Sequence, residues 1–256
     1  MPLDAVTSQW KPDHADPLKV KRVLLSWSSG KDSAWALHVL RQLSDVRVVG
    51  LLTTFNESVG RVAMHAVRRE LVAAQAAATG LPLWSVGLPS PCSNEAYEAI
   101  MRDVLVQARA TGITQFAFGD LFLEDVRAYR VRLLAGSGVE PIFPIWTTPD
   151  ATPALARRML KAGLRATLTC VDPRLLDSVL VGRSFDASLI NELPPTVDPC
   201  GERGEFHTFC SAGPMFRSEI RVVLGETVIR DGFCFADLRP EEPVALPPPH
   251  RMKRAL

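Results

Sequence analysis

Ser28-Ser29-Gly30-Lys31-Asp32-Ser33 packs hydroxyl, ammonium and carboxylate groups into six residues, just after the apolar run Val23-Leu24-Leu25. Such an order reads as a phosphate-binding loop between a buried strand and a helix that starts near Asp32. Small residues let backbone N–H groups approach an anion. The hydroxyls of Ser28, Ser29 and Ser33 add donors, and a helix N-terminus adds orphan N–H groups and partial positive charge. The kinase-type pattern G-x-x-x-x-G-K-[ST] does not fit: Leu25 falls on its first Gly and Asp32 on its Ser/Thr. In the dinucleotide pattern G-x-G-x-x-G, Ser28 and Ser33 take two of the Gly positions. A polar turn between strand and helix is the plainer alternative.

A second group is Asp198-Pro199-Cys200-Gly201-Glu202-Arg203-Gly204-Glu205-Phe206-His207-Thr208-Phe209. Glu202, Glu205 and His207 could orient a polar substrate, bind magnesium or move protons. On a strand, Glu205 and His207 share a face. The alternative is a solvated turn before an edge strand. Cys200 and His207 lack the paired spacing of a zinc site. A third group runs from Phe118 to Arg130. Asp120 is placed to approach a magnesium nucleotide, and Arg127 and Arg130 share a helix face that could meet an anion. Pairing within the helix, such as Glu124 with Arg127, competes with that reading.

The elements that must position these groups alternate. Strands are expected at 23–27, 46–53, 83–86 and 115–118, and helices at 33–43, 60–79, 94–110 and 124–135. Successive β–α units imply a parallel sheet with right-handed crossovers. Ligands then lie beyond the carboxyl ends of the strands, where the serine-rich loop, Thr53-Thr54 and Gly119-Asp120 converge. Further along, 141–146 reads as a strand. Thr152-Pro153 and Asp172-Pro173 read as helix starts, with stops at Gly163 and Gly182. Residues 186–192 read as a short helix. Strands follow at 205–210, 219–224 and 226–229, with turns at Gly213-Pro214 and Gly225. The expected organisation is an α/β ATP-binding domain over 20–148, an α+β region over 149–238, and irregular termini at 1–19 and 239–256.

The 256 residues are 47% hydrophobic and 22% charged with a net charge of +1, which gives no bulk electrostatic case for nucleic acid. The five cysteines include no C-x-x-C pair, and no apolar run is long enough for a membrane span. Reduced thiols and a cytoplasmic setting are the expectation.

Ser28 to Ser33 resembles the S-G-G-x-D-S loop of the PP-loop ATP pyrophosphatases, with Ser29 at the middle Gly, a replacement that suits a negative φ. With F-G-D-L-F-L-E-D-V-R-A-Y-R and V-D-P-C-G-E-R-G-E-F-H-T-F, the chain from about Arg22 to Phe216 resembles the diphthine–ammonia ligase-like family. The resemblance implies a HUP-type, Rossmann-like ATP-binding domain. It implies chemistry in which ATP adenylates a carboxylate and ammonia displaces AMP, with ATP and Mg2+ as cofactors. Carried over, Ser26, Ser28, Ser29, Gly30, Lys31, Asp32 and Ser33 bind the nucleotide with Thr53, Thr54 and Gly119. Asp32, Asp120, Glu202, Glu205 and His207 are the catalytic set, with Asp120 on the metal. The family pattern G-E-x-G-E-Y-E-T reads Gly201-Glu202-Arg203-Gly204-Glu205-Phe206-His207-Thr208 here, with Phe for Tyr and His for an acid. This is similar to a bacterial branch and leaves the acceptor open. The expected partners are a small-molecule or modified-protein carboxylate and ammonia, without membrane or nucleic acid; a homodimer is compatible. The competing classes are a tRNA-modifying PP-loop enzyme and a non-catalytic nucleotide-binding module.

Overall fold

The computed structural model describes residues 20–62 and 66–242. Val23, Leu24 and Leu25 are fully buried, so β1 (Lys21–Ser26) is apolar on both faces, as a strand covered by helices on both sides must be. It belongs to a sheet with β2 (Val46–Asn56), β3 (Arg61–Val62), β4 (Leu83–Leu88), β5 (Gln115–Ala117) and β6 (Glu140–Ile142). Five of these run parallel in the order β4-β2-β1-β5-β6, and β3 pairs antiparallel with the last two residues of β2. Helices α1 (Lys31–Leu40) and α2 (Arg69–Thr79) pack Leu37 and Leu71 in one core with Val23, Leu25 and Leu51. Helix α3 (Asn94–Ala110) packs Met101, Val104 and Leu105 on the other face against Leu24, Trp84 and Phe116, and α4 (Glu124–Leu134) follows β5.

The chain then forms α5 (Thr152–Lys161), β7 (Arg165–Val171), α6 (Ala187–Glu192), β8 (Phe206–Ala212), β9 (Val222–Arg230) and β10 (Phe233–Pro240). The last four strands make an antiparallel sheet in the order β8-β7-β10-β9. Phe185, Phe206 and Phe209 join the core that holds α1, so the second sheet packs onto the helix that begins at the serine-rich loop. The architecture is the expected α/β, Rossmann-like parallel sheet with a C-terminal α+β region.

Several expectations are corrected. The helix expected over 60–79 starts only at Arg69, because Arg61–Val62 pairs with β2, Arg61 bridges to Arg68, and Ala66 takes a φ of 54°. His65 lies outside the described residues. Asp172-Pro173 starts no α-helix: Asp172 accepts from the backbone and guanidinium of Arg174, and only a 3-10 turn at Ser178–Leu180 follows. Thr152 does not cap α5; its hydroxyl donates to the Asp198 carboxylate instead. Gly225 lies within β9, so one strand replaces two. Strands β7 and β10 were not anticipated, and β10 takes Arg239 and Pro240 out of the expected irregular end. The rest of that expectation, at 1–19 and 243–256, lies outside the described residues. Among the described residues no helix is long and apolar enough to cross a membrane.

Candidate active site

At the carboxyl ends of β1 and β5 a cavity of about 270 Å³ opens, lined by Ser28, Asp32, Asp120, Glu202, His207 and Thr208 among others. This is the edge at which parallel sheets hold ligands. Leaving β1, the chain turns at Ser29, whose φ is +72°. That corrects the expectation of a negative φ. The left-handed turn is held because the Ser29 carbonyl accepts from Cys210 N at 2.9 Å and from Gln75 Nε2 at 3.0 Å. Gln75 is itself fixed by Trp27 Nε1 at 2.8 Å and by the Cys210 carbonyl at 2.7 Å. The loop is therefore bolted to the second sheet, and Ser29 Oγ is left buried without a partner among the described residues.

Gly30 precedes α1 with no side-chain cap, so the helix head keeps orphan N–H groups. One of them, Lys31 N, donates to Thr208 Oγ1 at 3.1 Å. Ser28 Oγ lies 3.3 Å from Ser33 Oγ, which donates to the Gly30 carbonyl at 3.0 Å. Gly119 presses against this helix head. A Cβ there would stand 3.0 Å from Ser33 N and 3.1 Å from the Asp32 carbonyl carbon, both backbone atoms that cannot easily yield. Glycine is required by that approach, not by its dihedral angle.

Lys31 lies in the cavity wall but its ammonium is engaged. It donates to Asp32 Oδ2 at 2.8 Å and to the Cys200 carbonyl, and it faces the Phe185 and Phe206 rings at 5.5 and 5.4 Å. Burial is the largest single influence and opposes the charge, yet the neighbouring groups together, Asp32 first among them, outweigh it and raise the Lys31 pKa. Burial pushes the Asp32 carboxyl up, and Asp32 Oδ1 has no partner among the described residues. Asp120 is also raised by burial, against the pull of Arg130 at 3.4 Å. Glu202 is pushed up to about 8, by burial first and also by Asp32 and Asp120, although Leu121 N–H opposes the shift. Burial, helped by Lys31, lowers His207 to about 4, so it is neutral at pH 7.

The loop from Asp198 to Glu205 is closed by its own carboxylates. Asp198 accepts from Glu202 N and Thr152 Oγ1. Glu205 accepts from Asp198 N at 2.8 Å and Arg203 N at 2.9 Å. Gly201 takes a φ of 71°, and a Cβ there would meet the Phe206 carbonyl at 2.7 Å. Burial pushes the Cys200 thiol up, which keeps it protonated and a poor nucleophile or metal ligand.

The cavity thus gathers Ser26, Ser28, Lys31, Asp32, Ser33, Gly119, Asp120, Glu202 and His207. Other candidates stand behind its wall. Thr53 donates to the Trp27 carbonyl at 2.7 Å, and Thr54 lies in β2 beside Val86. Ser29 and Gly30 shape the loop backbone, and Glu205 holds the loop that carries Glu202. The sequence reading missed Phe206, Thr208 and Asp198. Their signal was available in the dense motif around Gly201, but only the contacts give them roles. Arg127 stacks over Phe143 and Trp146 instead of pairing with Glu124.

Family models of the N-terminal and C-terminal domains of diphthamide synthase match residues 21–140 and 151–239. The chain belongs to the diphthamide synthase family. No curated protein matches it significantly. In diphthamide synthase terms, the N-terminal match carries the Ser28–Ser33 loop and Asp120, and the C-terminal match carries Glu202, His207 and Thr208. The cavity is assembled from both. Membership of the diphthamide synthase family points to ATP-dependent amidation.

Residues here suit magnesium only together with a nucleotide. Among the described residues no three metal-binding side chains cluster. Magnesium is commonly held by one or two carboxylates plus substrate phosphates. Two aspartate carboxylates line the cavity: Asp32, with its unpartnered buried oxygen, and Asp120.

Proposed function

We propose that the chain is a PP-loop ligase that forms an amide from a carboxylic acid, ammonia and ATP. A carboxylate oxygen attacks the α-phosphorus, and pyrophosphate leaves with the electron pair of the α–β bridge bond. Ammonia then attacks the acyl carbon, AMP leaves with the C–O electron pair, and one proton is released. The observation that carries this reading is that the strand–loop–helix cradle and the acids Asp32, Asp120 and Glu202 open onto one cavity. Orphan N–H groups of α1 and the hydroxyls of Ser28 and Ser33 would hold phosphate oxygens. Asp32 and Asp120 would hold Mg2+, which when bound offsets charge growing on the departing pyrophosphate. Glu202, held near 8, would take up the proton released by ammonia in its ionised form, which gains population as pH rises toward 8.

The test is product analysis of the full chain with ATP, Mg2+, ammonium and a panel of carboxylic acids. AMP and pyrophosphate, formed only when an acid is present, are expected. ADP and phosphate would overturn the proposal.

A further inference from the structure

His207 stands in the wall of two cavities. One holds the phosphate cradle. The other, of about 220 Å³, lies between the β2–β3 turn of the parallel sheet and the β9–β10 hairpin of the antiparallel sheet. Val59, Val62, Ala66, Phe233 and Phe235 give it apolar walls, and Cys170, paired with His207 across β7 and β8, forms part of its lining. A mostly apolar pocket with a few polar groups is the ordinary form of a small-molecule site.

We infer that this second cavity is the acceptor site, and that its occupant is a small carboxylic acid with an apolar body whose carboxylate lies beside His207. The inference rests on the ligase reading of the first cavity. Three observations carry it. Only a group at the shared wall can belong to a molecule in one cavity and react with a nucleotide in the other. The walls match a hydrocarbon or aromatic body, and the volume is that of a small molecule. The surroundings are cationic: Arg61, Arg68 and Arg239 converge on the single carboxylate of Asp237, and Arg230 lies over Phe235 with no ion-pair partner among the described residues. Asp231 at the hairpin tip and Glu70, 4.0 Å from Arg68, leave the guanidinium groups in excess. Such a field draws an anion toward the mouth.

Val59 allows a test that spares the cradle, because it sits on a turn and is 49% exposed. Phenylacetate and 3-methylbutanoate are the probes, followed by saturation-transfer NMR on the full chain. Both should bind with or without a non-hydrolysable ATP analogue. Val59→Trp should weaken that binding at least tenfold while nucleotide affinity changes less than twofold and the thermal transition holds. Val59→Ala should shift preference toward bulkier acids. Absence of binding by both acids, their displacement by the nucleotide, or indifference to Val59→Trp would overturn the assignment. So would AMP formation that occurs only with a protein-borne carboxylate. If the acids bind here but none yields AMP with ammonium, the ligase reading falls and the acid site stands. If AMP forms and Val59→Trp leaves the acid KM unchanged, the ligase reading stands and the cavity assignment falls.

Discussion

The backbone N–H of Leu121 donates to Glu202 Oε1 at 2.7 Å, so the loop after β5 and the loop before β8 meet on one carboxyl group. This bond joins segments 81 residues apart, one from each half of the chain. It also fixes Glu202 where Asp32 and Asp120 act on its ionisation.

Glu202 should make the fold less stable as pH rises. Its pKa is raised from 4.5 to about 8, so the folded state keeps a proton that the unfolded chain has lost. Stability therefore falls between those two values and is unaffected below the lower one. Glu202→Gln removes that dependence. The variant should gain on the order of 1–3 kcal/mol over the parent at pH 8 and nothing below the ordinary carboxylate range. Calorimetry at two pH values checks it. Acid-dependent AMP release should fall at least tenfold, and its pH profile should lose a limb near 8.

Ser29 combines a φ of +72° with a buried, unpartnered hydroxyl. Left-handed backbone costs a non-glycine residue roughly 1–2 kcal/mol. Ser29→Gly should therefore stabilise the protein by about 1 kcal/mol, which for a chain of this size raises Tm by roughly 2–4 °C. A fall in Tm would show that Ser29 Oγ has a structural partner in solution. Strain of this kind gathers at functional loops.

How much of this was legible follows from what each segment is paired with. Ser93 caps α3 by accepting from Ala96 N, and Gly112 follows its end, so local signals sufficed for Asn94–Ala110. The start of α2 was not legible, because Arg61 is drawn to Asp237, 176 residues away, and periodicity carries no trace of that. The convergence of Ser28–Ser33 with Asp120 followed from topology alone. The role of Glu205 did not, since its partners are two backbone N–H groups of its own loop. The hairpin that roofs the second cavity was not read from the sequence, although it turns at Asp231-Gly232, a dipeptide suited to a tight turn, with φ values of 52° and 81°.

Glu205 is 2% exposed and holds Asp198 N and Arg203 N. Glu205→Ala leaves two donors without their acceptor, at about 1–3 kcal/mol each if they stay buried. The loop bearing Glu202 should loosen. Amide formation should fall tenfold or more while ATP affinity changes less than threefold, and Tm should drop. Glu205→Gln keeps an acceptor oxygen and should restore part of both. A rate loss with Tm unchanged would instead place Glu205 in contact with the substrate.

Asp237 accepts from Arg61, a residue of the second cavity's wall, and carries the opposite pH signature to Glu202. Hydrogen bonds from Arg68 first, then from Arg239 and Arg61, hold its carboxyl far below the ordinary 3.8. A depressed folded pKa gives stability that is present above the unfolded value and is lost as pH falls through the folded one. Asp237→Asn should cost on the order of 2 kcal/mol at pH 7, because charge-assisted hydrogen bonds are replaced by neutral ones among three like charges. The gap between variant and parent should close as pH falls below the ordinary carboxylate range, which urea titrations at several pH values can follow. Arg61 also lines the second cavity, so freeing it from Asp237 should change acid binding there and leave nucleotide binding intact. Equal loss of both ligands would mean that Asp237 supports the whole junction between the sheets, not one wall of the second cavity.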